Sequence, residues 1–306
     1  MKSIFAVLLS IFIASCTTVR EPVRKRISQT DARGVPLEGG GLKKRILVLP
    51  FIDPTNKRPS TILENSRKAF IMDLNRSGEV IAIDSTEMRV DPKKALKGSE
   101  YDLKQLAKEV SDLGVSTVLE GSLLDIRVRN LSDRIGLIRK MRSAFEVEVR
   151  VRLLSLRGSR EIFNTVKTVT LEQDNVRVAE RVETDRFIEA NPELIQIIVK
   201  DAFLDFTPQI LAALAKVTWE GRIAALSGDR VYLNVGRVSG VQIGDILKVT
   251  DEGEDVFDPE SGQHIGKVPG RQKGTLEVIS YFGVDGSIAI IHSGAGFKEN
   301  DRVELY

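Results

Sequence analysis

Arg45-Ile46-Leu47-Val48-Leu49-Pro50-Phe51 decides the fold. From Ile46 to Leu49 every position is apolar. Such a run has to be covered on both faces, which marks a strand inside an α/β sheet rather than one lying on a surface. The next forty residues agree. After Asp53-Pro54 and Arg58-Pro59, Thr61 and Glu64 stand at capping-box spacing, and Leu63, Phe70 and Leu74 recur at helical intervals until Gly78. Val80-Ile81-Ala82-Ile83 reads as a second strand. Ser99 with Asp102 is predicted to open a further helix through Leu103, Leu106, Val110 and Leu113, closed by Gly114. Strand, helix, strand, helix, strand is the opening of an α/β domain.

Downstream the period changes to two. Leu124, Ile126 and Val128 alternate with Asp125, Arg127 and Arg129. Phe145, Val147, Val149 and Val151 alternate with Glu146, Glu148, Arg150 and Arg152, and a third polar-alternating run covers Phe163 to Leu171. These strands predict an antiparallel sheet with one face in water. Asn191-Pro192-Glu193 then starts an apolar helix through Leu194, Ile197, Ile198, Ala202 and Phe203, with Pro at its first position, and Thr207-Pro208 starts a short last one to Lys216.

From Trp219 the chain reads as six short strands: Arg222–Leu226, Val231–Val235, Asp245–Thr250, Gly274–Ser280, Ser287–His292 and Arg302–Leu305. Their spacing suggests a small β-barrel. An internal echo relates Gly240–Val249 to Gly296–Leu305, with Gly244 and Asn300 both tolerant of a left-handed turn. The predicted fold class is therefore α+β: an α/β N-terminal domain with a mixed sheet over 45–216, followed by a small all-β barrel over 217–306.

Upstream of the first strand, Lys2 precedes the apolar run Ile4–Ile13, which has the length of a signal-peptide core and falls short of the ~20 residues of a spanning helix. It ends in Ile13-Ala14-Ser15-Cys16, an aliphatic residue, two small ones and the only cysteine of the chain. This resembles a bacterial lipobox, with residues 1–15 removed and Cys16 lipidated. By that analogy Thr17, in place of an inner-membrane retention aspartate, implies the outer membrane of a Gram-negative cell. Residues 16–44 are predicted to form a flexible tether, containing Pro22, Pro36 and Gly39-Gly40-Gly41 without apolar periodicity. Eight Lys/Arg against three Asp/Glu over 17–45 either rest on anionic headgroups or simply keep the linker solvated.

Composition narrows the chemistry. Across 306 residues the net charge is +2, and residues 217–306 carry nine Lys/Arg against fourteen Asp/Glu, which opposes phosphate binding by the barrel. A single Cys and two His (His264, His292) leave no convincing transition-metal site. The acidic run Asp251, Glu252, Glu254, Asp255, Asp258 and Glu260 lacks the ligand spacing of an EF-hand loop and reads as a solvated hairpin loop. The glycines before Leu42-Lys43-Lys44 come after no strand and do not form a phosphate loop. No catalytic residue, cofactor or metal is expected, and no nucleic-acid partner.

Leu106-Ala107-Lys108-Glu109-Val110-Ser111-Asp112-Leu113-Gly114-Val115-Ser116-Thr117-Val118-Leu119-Glu120-Gly121-Ser122, together with the Ile46–Phe51 opening, resembles a module shared by the N-terminal domain of translocation protein TolB, the curli export lipoprotein and the penicillin-binding-protein activator lipoproteins. Gly236-Arg237-Val238-Ser239-Gly240-Val241-Gln242-Ile243-Gly244-Asp245 and Asp258-Pro259-Glu260-Ser261-Gly262-Gln263-His264-Ile265-Gly266 resemble the C-terminal domain of the flagellar assembly protein T family, whose middle domain is itself TolB-like. The chain departs from that family in carrying a lipobox and in lacking its extra N-terminal domain. The resemblance implies a non-catalytic periplasmic scaffold at a flagellar basal body, with self-association as an option. The alternatives it leaves open are an accessory of curli-type export and an activator of cell-wall enzymes. Replacing Cys16 by Ala should leave an unprocessed or soluble protein; membrane fractionation and mature mass identical to those of the unmodified protein would rule out the lipid anchor.

Overall fold

The structure, a computed structural model, describes residues 41–102, 105–106, 110, 114–132, 141–156, 160–174, 191–251, 253–268 and 270–306. Residues 1–40, with the predicted signal segment and Cys16, lie outside the described residues, as does most of 103–113.

The first domain is a five-stranded mixed sheet. Its strands are β1 (Lys44–Val48), β2 (Val80–Asp84), β5 (Thr117–Ser132), β6 (Met141–Ser155) and β7 (Arg160–Asp174), in the order β2-β1-β5-β6-β7. β1 is parallel to both β2 and β5, and β5, β6 and β7 form an antiparallel meander. β1 is covered on both faces, as its continuous apolar run requires. Ile46 and Val48 enter a core beneath α1 (Ser60–Arg76), α2 (Pro192–Leu204) and α3 (Thr207–Ala215), while Leu47 and Leu49 pack with Ala95, Tyr101, Leu106, Val110 and Val118 on the other side. Phe51 turns back over the first core, its ring 4.3 Å from that of Phe203.

Two local expectations need correction. Thr61 and Glu64 do not form a capping box. α1 starts at Ser60 after Pro59 with no side-chain cap, and Glu64 is drawn instead to Arg67 at 2.7 Å. Ser99 does not open a helix, because residues 96–101 fold into a tiny hairpin of β3 (Leu96–Lys97) and β4 (Glu100–Tyr101) with Gly98 in the left-handed region. Asp102 takes the opening role alone: its carboxylate accepts from the Gln105 amide at 3.3 Å and its carbonyl from the Leu106 amide at 3.0 Å.

The second domain is a closed six-stranded barrel of β8 (Gly221–Ser227), β9 (Arg230–Leu233), β10 (Ile246–Thr250), β13 (Gln272–Phe282), β14 (Gly286–Gly294) and β15 (Arg302–Leu305), ordered β10-β13-β14-β9-β8-β15. Closure leaves no open edge around the barrel. Val231, Leu233, Leu247, Val249, Leu276, Val278, Ala289 and Val303 fill its interior. The two echoing segments meet: β10 pairs antiparallel with β15, Leu247 opposite Leu305 and Val249 opposite Val303, and Gly244 and Asn300 both have positive φ, 89° and 69°. Between β10 and β13 the acidic loop projects as a separate hairpin of β11 (Asp255–Phe257) and β12 (His264–Lys267). Among the described residues no helix is long and apolar enough to cross a membrane.

Candidate functional site

The two domains meet along the residues that lead into β1. Composition places 41–44 in the tether, yet here they are held by both domains. Leu42 packs against the barrel core, and the Lys43 amide donates to the Ser239 carbonyl at 3.0 Å. The Trp219 indole N–H donates to the Lys43 carbonyl at 3.1 Å, and Lys44 Nζ donates to the Leu214 carbonyl at 2.5 Å. Periodicity missed this because four residues are too few to show a period and the two bonds of Lys43 are made by its backbone.

Asp285, in the turn between β13 and β14, is the centre of the joint. One carboxylate oxygen accepts from the Gly236 and Ser239 amides, both at 2.9 Å; the other accepts from the Ser239 hydroxyl and, at 2.6 Å, from Arg45 Nη2 of β1. Both charged side chains are largely buried, with 9% of Asp285 and 14% of Arg45 exposed, so the pair is poorly screened and charge-assisted on each side. Two glycines allow the close approach. A Cβ on Gly114 (φ 63°) would stand 2.0 Å from the Asn234 amide nitrogen, and one on Gly240 (φ 82°) would stand 2.2 Å from the Gly41 carbonyl oxygen. The Gly236–Asp245 segment, which carries the family resemblance of the barrel, thus builds the domain joint.

The water-facing side of the first sheet holds a charge network. Glu120, with its side chain wholly buried, lies 3.3 Å from Arg152 Nη1 and 3.6 Å from Arg150 Nη2, and accepts from the Tyr101 amide at 3.2 Å. Glu100 joins both arginines, at 3.1 and 3.0 Å, and Arg152 reaches Glu161 at 2.8 Å. Burial pushes the Glu120 carboxyl above the usual carboxylate range, although the Tyr101 amide and the two guanidinium groups pull against it. Farther along the same face, Arg58 bridges Asp53 (3.0 Å) and Asp125 (3.6 Å), and Arg127 pairs with Asp125 at 2.6 Å. The predicted polar alternation is met here by mutual pairing as well as by water.

A groove of about 780 Å³ opens beyond the carboxyl ends of β1 and β2, lined by Phe51, the first turns of α1 and residues 85–93. Its buried cation, Arg67, is 2.7 Å from Glu64 and 2.8 Å from Asp84. The hydrogen bond from Arg67 lowers the Glu64 carboxyl. At Asp84, burial acts upward but is outweighed by hydrogen bonds from Arg67 and Thr86. Arg67 is thus occupied in holding α1 to the end of β2.

Cys16, the predicted lipidation site, lies outside the described residues. His292 is exposed on β14, its Nδ1 3.1 Å from the Thr275 hydroxyl, and His264 opens β12. Asp251 and Asp258 each bind backbone amides of their own loops. Among the described residues no group of three or more His, Cys, Asp or Glu is placed to hold a metal ion. Arg45, Asp285, Glu120 and Arg67 were not singled out by spacing. For Arg45 and Glu120 the signal was a charged residue next to apolar strand residues, for Arg67 a cation one turn after Glu64 in a helix, and for Asp285 a charged residue in a turn between glycines.

No protein-family model matches the chain, and no curated protein does. Among solved structures it is similar to the hypothetical protein CT253 from Chlamydia trachomatis, at 13% identity over 57% of this chain and 99% of that one, with a TM-score of 0.38. It is also similar to a neuraminyllactose-binding hemagglutinin homolog from Helicobacter pylori (12% identity, 57% and 87% covered, TM-score 0.33) and to lipoprotein GNA1162 from Neisseria meningitidis (13%, 51% and 97%, 0.28).

The Glu120 network makes a signed prediction. Arg152→Met removes a partner of a buried carboxylate and should cost about 3 kcal/mol at neutral pH. Without the guanidinium the folded-state pKa of Glu120 rises further above its unfolded value, so proton uptake favours the native state. The deficit relative to the native chain should therefore shrink as pH falls through that raised pKa. Urea unfolding of both proteins across the acid range measures it, and a deficit independent of pH would refute the assignment.

Proposed function

We propose that the chain is a non-catalytic, self-associating scaffold, anchored through lipid on Cys16 to the periplasmic face of the outer membrane and attached to a flagellar basal body. The observation that carries the reading is the joint. Arg45 and Asp285, with the Lys43 and Trp219 bonds, fix the barrel against the α/β domain at the point where the chain emerges from the predicted tether. Two surfaces held at one spacing suit a part that sets the distance between an anchor and an assembly. The predicted tether supports this as well, since the roughly 25 residues that precede Gly41 give as coil a reach of ~25–30 Å.

The side chains point the same way. Two buried groups whose protonation is displaced from the ordinary range, Glu120 and Arg67, are spent on holding strands and helices together. The barrel motif, shared by resemblance with a ring protein of the flagellum, is used in the joint, which gives that domain a task in the scaffold reading. An activator role would assign it none.

Deleting the gene should impair swimming and loosen basal bodies while growth rate and cell shape stay normal. Normal swimming with altered cell-wall synthesis would favour an activator of wall enzymes. Normal swimming with lost surface-fibre secretion would favour an export accessory.

A further inference from the structure

We infer that the outer edge of β7 is a self-pairing strand that joins two copies of this chain into one continuous sheet. β7 runs for fifteen residues, Arg160–Asp174, and among the described residues pairs on one side only, with β6. Among the described residues no backbone hydrogen bond reaches it from anywhere but that ladder. A strand of this length with a free edge offers a row of unpaired amides and carbonyls to another strand. Folded proteins usually blunt such an edge with charge, proline, a bulge or brevity. The sheet's other edge, β2, is five residues long.

β7 is blunted in none of these ways along its middle. It contains no proline, and its one register irregularity lies near its start, opposite Leu153 and Leu154. The charges of this face sit one strand inward. On β6 the outward row is Glu146, Glu148, Arg150 and Arg152; the β7 residues beside them are Thr170, Thr168, Val166 and Asn164, all exposed and uncharged. Lys167, the one charge between Asn164 and Leu171, lies on the helix-facing side, where it meets Asp205 at 2.8 Å and the ring of Phe206 at 5.9 Å.

The occupant that fits is a second β7. Antiparallel pairing about Lys167 overlaps all fifteen residues, with Arg160 opposite Asp174 at both ends. It keeps odd positions facing odd and even facing even, so the helices of both copies lie on one side of the joined sheet. The exposed row then pairs Val166 with Thr168 and Asn164 with Thr170, short side chains suited to cross-strand contact. The two Lys167 residues that meet at the axis each carry their own counter-ion in Asp205.

This inference rests on the self-association named in the proposed function and is tested without reference to motility or anchoring, so that either can fail alone. The full chain, extracted in mild detergent, should sediment as a dimer, and Val166→Lys with Thr168→Lys should convert it to a folded monomer whose unfolding midpoint no longer depends on protein concentration. Independently, chains bearing Val166→Cys and chains bearing Thr168→Cys, expressed together, should form a disulfide that links one of each. Cys16 is the only cysteine present otherwise, so a bond requiring both positions reports this edge. A monomeric native chain, a dimer that survives both lysines, or the absence of the mixed disulfide would overturn the inference.

Discussion

The joint between the two domains is centred on one carboxylate. Asp285 collects two backbone amides and a hydroxyl from the Gly236–Ser239 loop and an arginine from the first strand of the other domain. Each bond alone is modest, on the order of 1 kcal/mol and more where a charge takes part. Together they order the loop, close one end of the barrel and tie that end to the sheet. The strand so tied is β1, which carries apolar residues into both cores of the first domain. The joint is thus connected directly to the most buried part of the sheet.

The second organising feature is a division of labour between the two faces of the antiparallel strands. One face is an ordinary apolar core under α1, α2 and α3. The other carries alternating cations and anions that neutralise each other, with a buried glutamate beneath two arginines. Burying that carboxylate is costly, and what makes it tolerable is that Tyr101 of the small β3–β4 hairpin donates its backbone amide while Glu100 of the same hairpin pairs with both arginines. The network therefore fastens the hairpin to the sheet. It ends at β7, where the exposed row turns neutral.

The sequence foretold the α+β layout because the signals were strong. Continuous apolar runs marked β1 and β2, period two marked β5 to β7 and all six barrel strands, and Asn191-Pro192 and Thr207-Pro208 marked the starts of α2 and α3. Failures arose where local chemistry had two uses. Glu64 sits at capping-box spacing from Thr61, but Arg67 one turn on offers a stronger, charged partner. Ser99 is a fair helix opener, yet Gly98 beside it favours a hairpin turn. The joint was illegible because it links residues 240 positions apart, Arg45 and Asp285, through a turn aspartate that is ordinary in itself. The motif that suggested kinship, Gly236–Asp245, was visible, while its role in docking the domains needed three dimensions.

Held by this joint, the α/β domain and the barrel should move as one body from residue 41 onward. Pulsed dipolar spectroscopy on spin labels at Met72 of α1 and Ile243 of the barrel, both well exposed, measures it directly when the labelled chain is diluted with unlabelled protein. A single narrow distance is expected in the native chain and a broad distribution in Asp285→Ala. A broad distribution in the native chain, or a narrow one that survives the loss of Asp285, would contradict it.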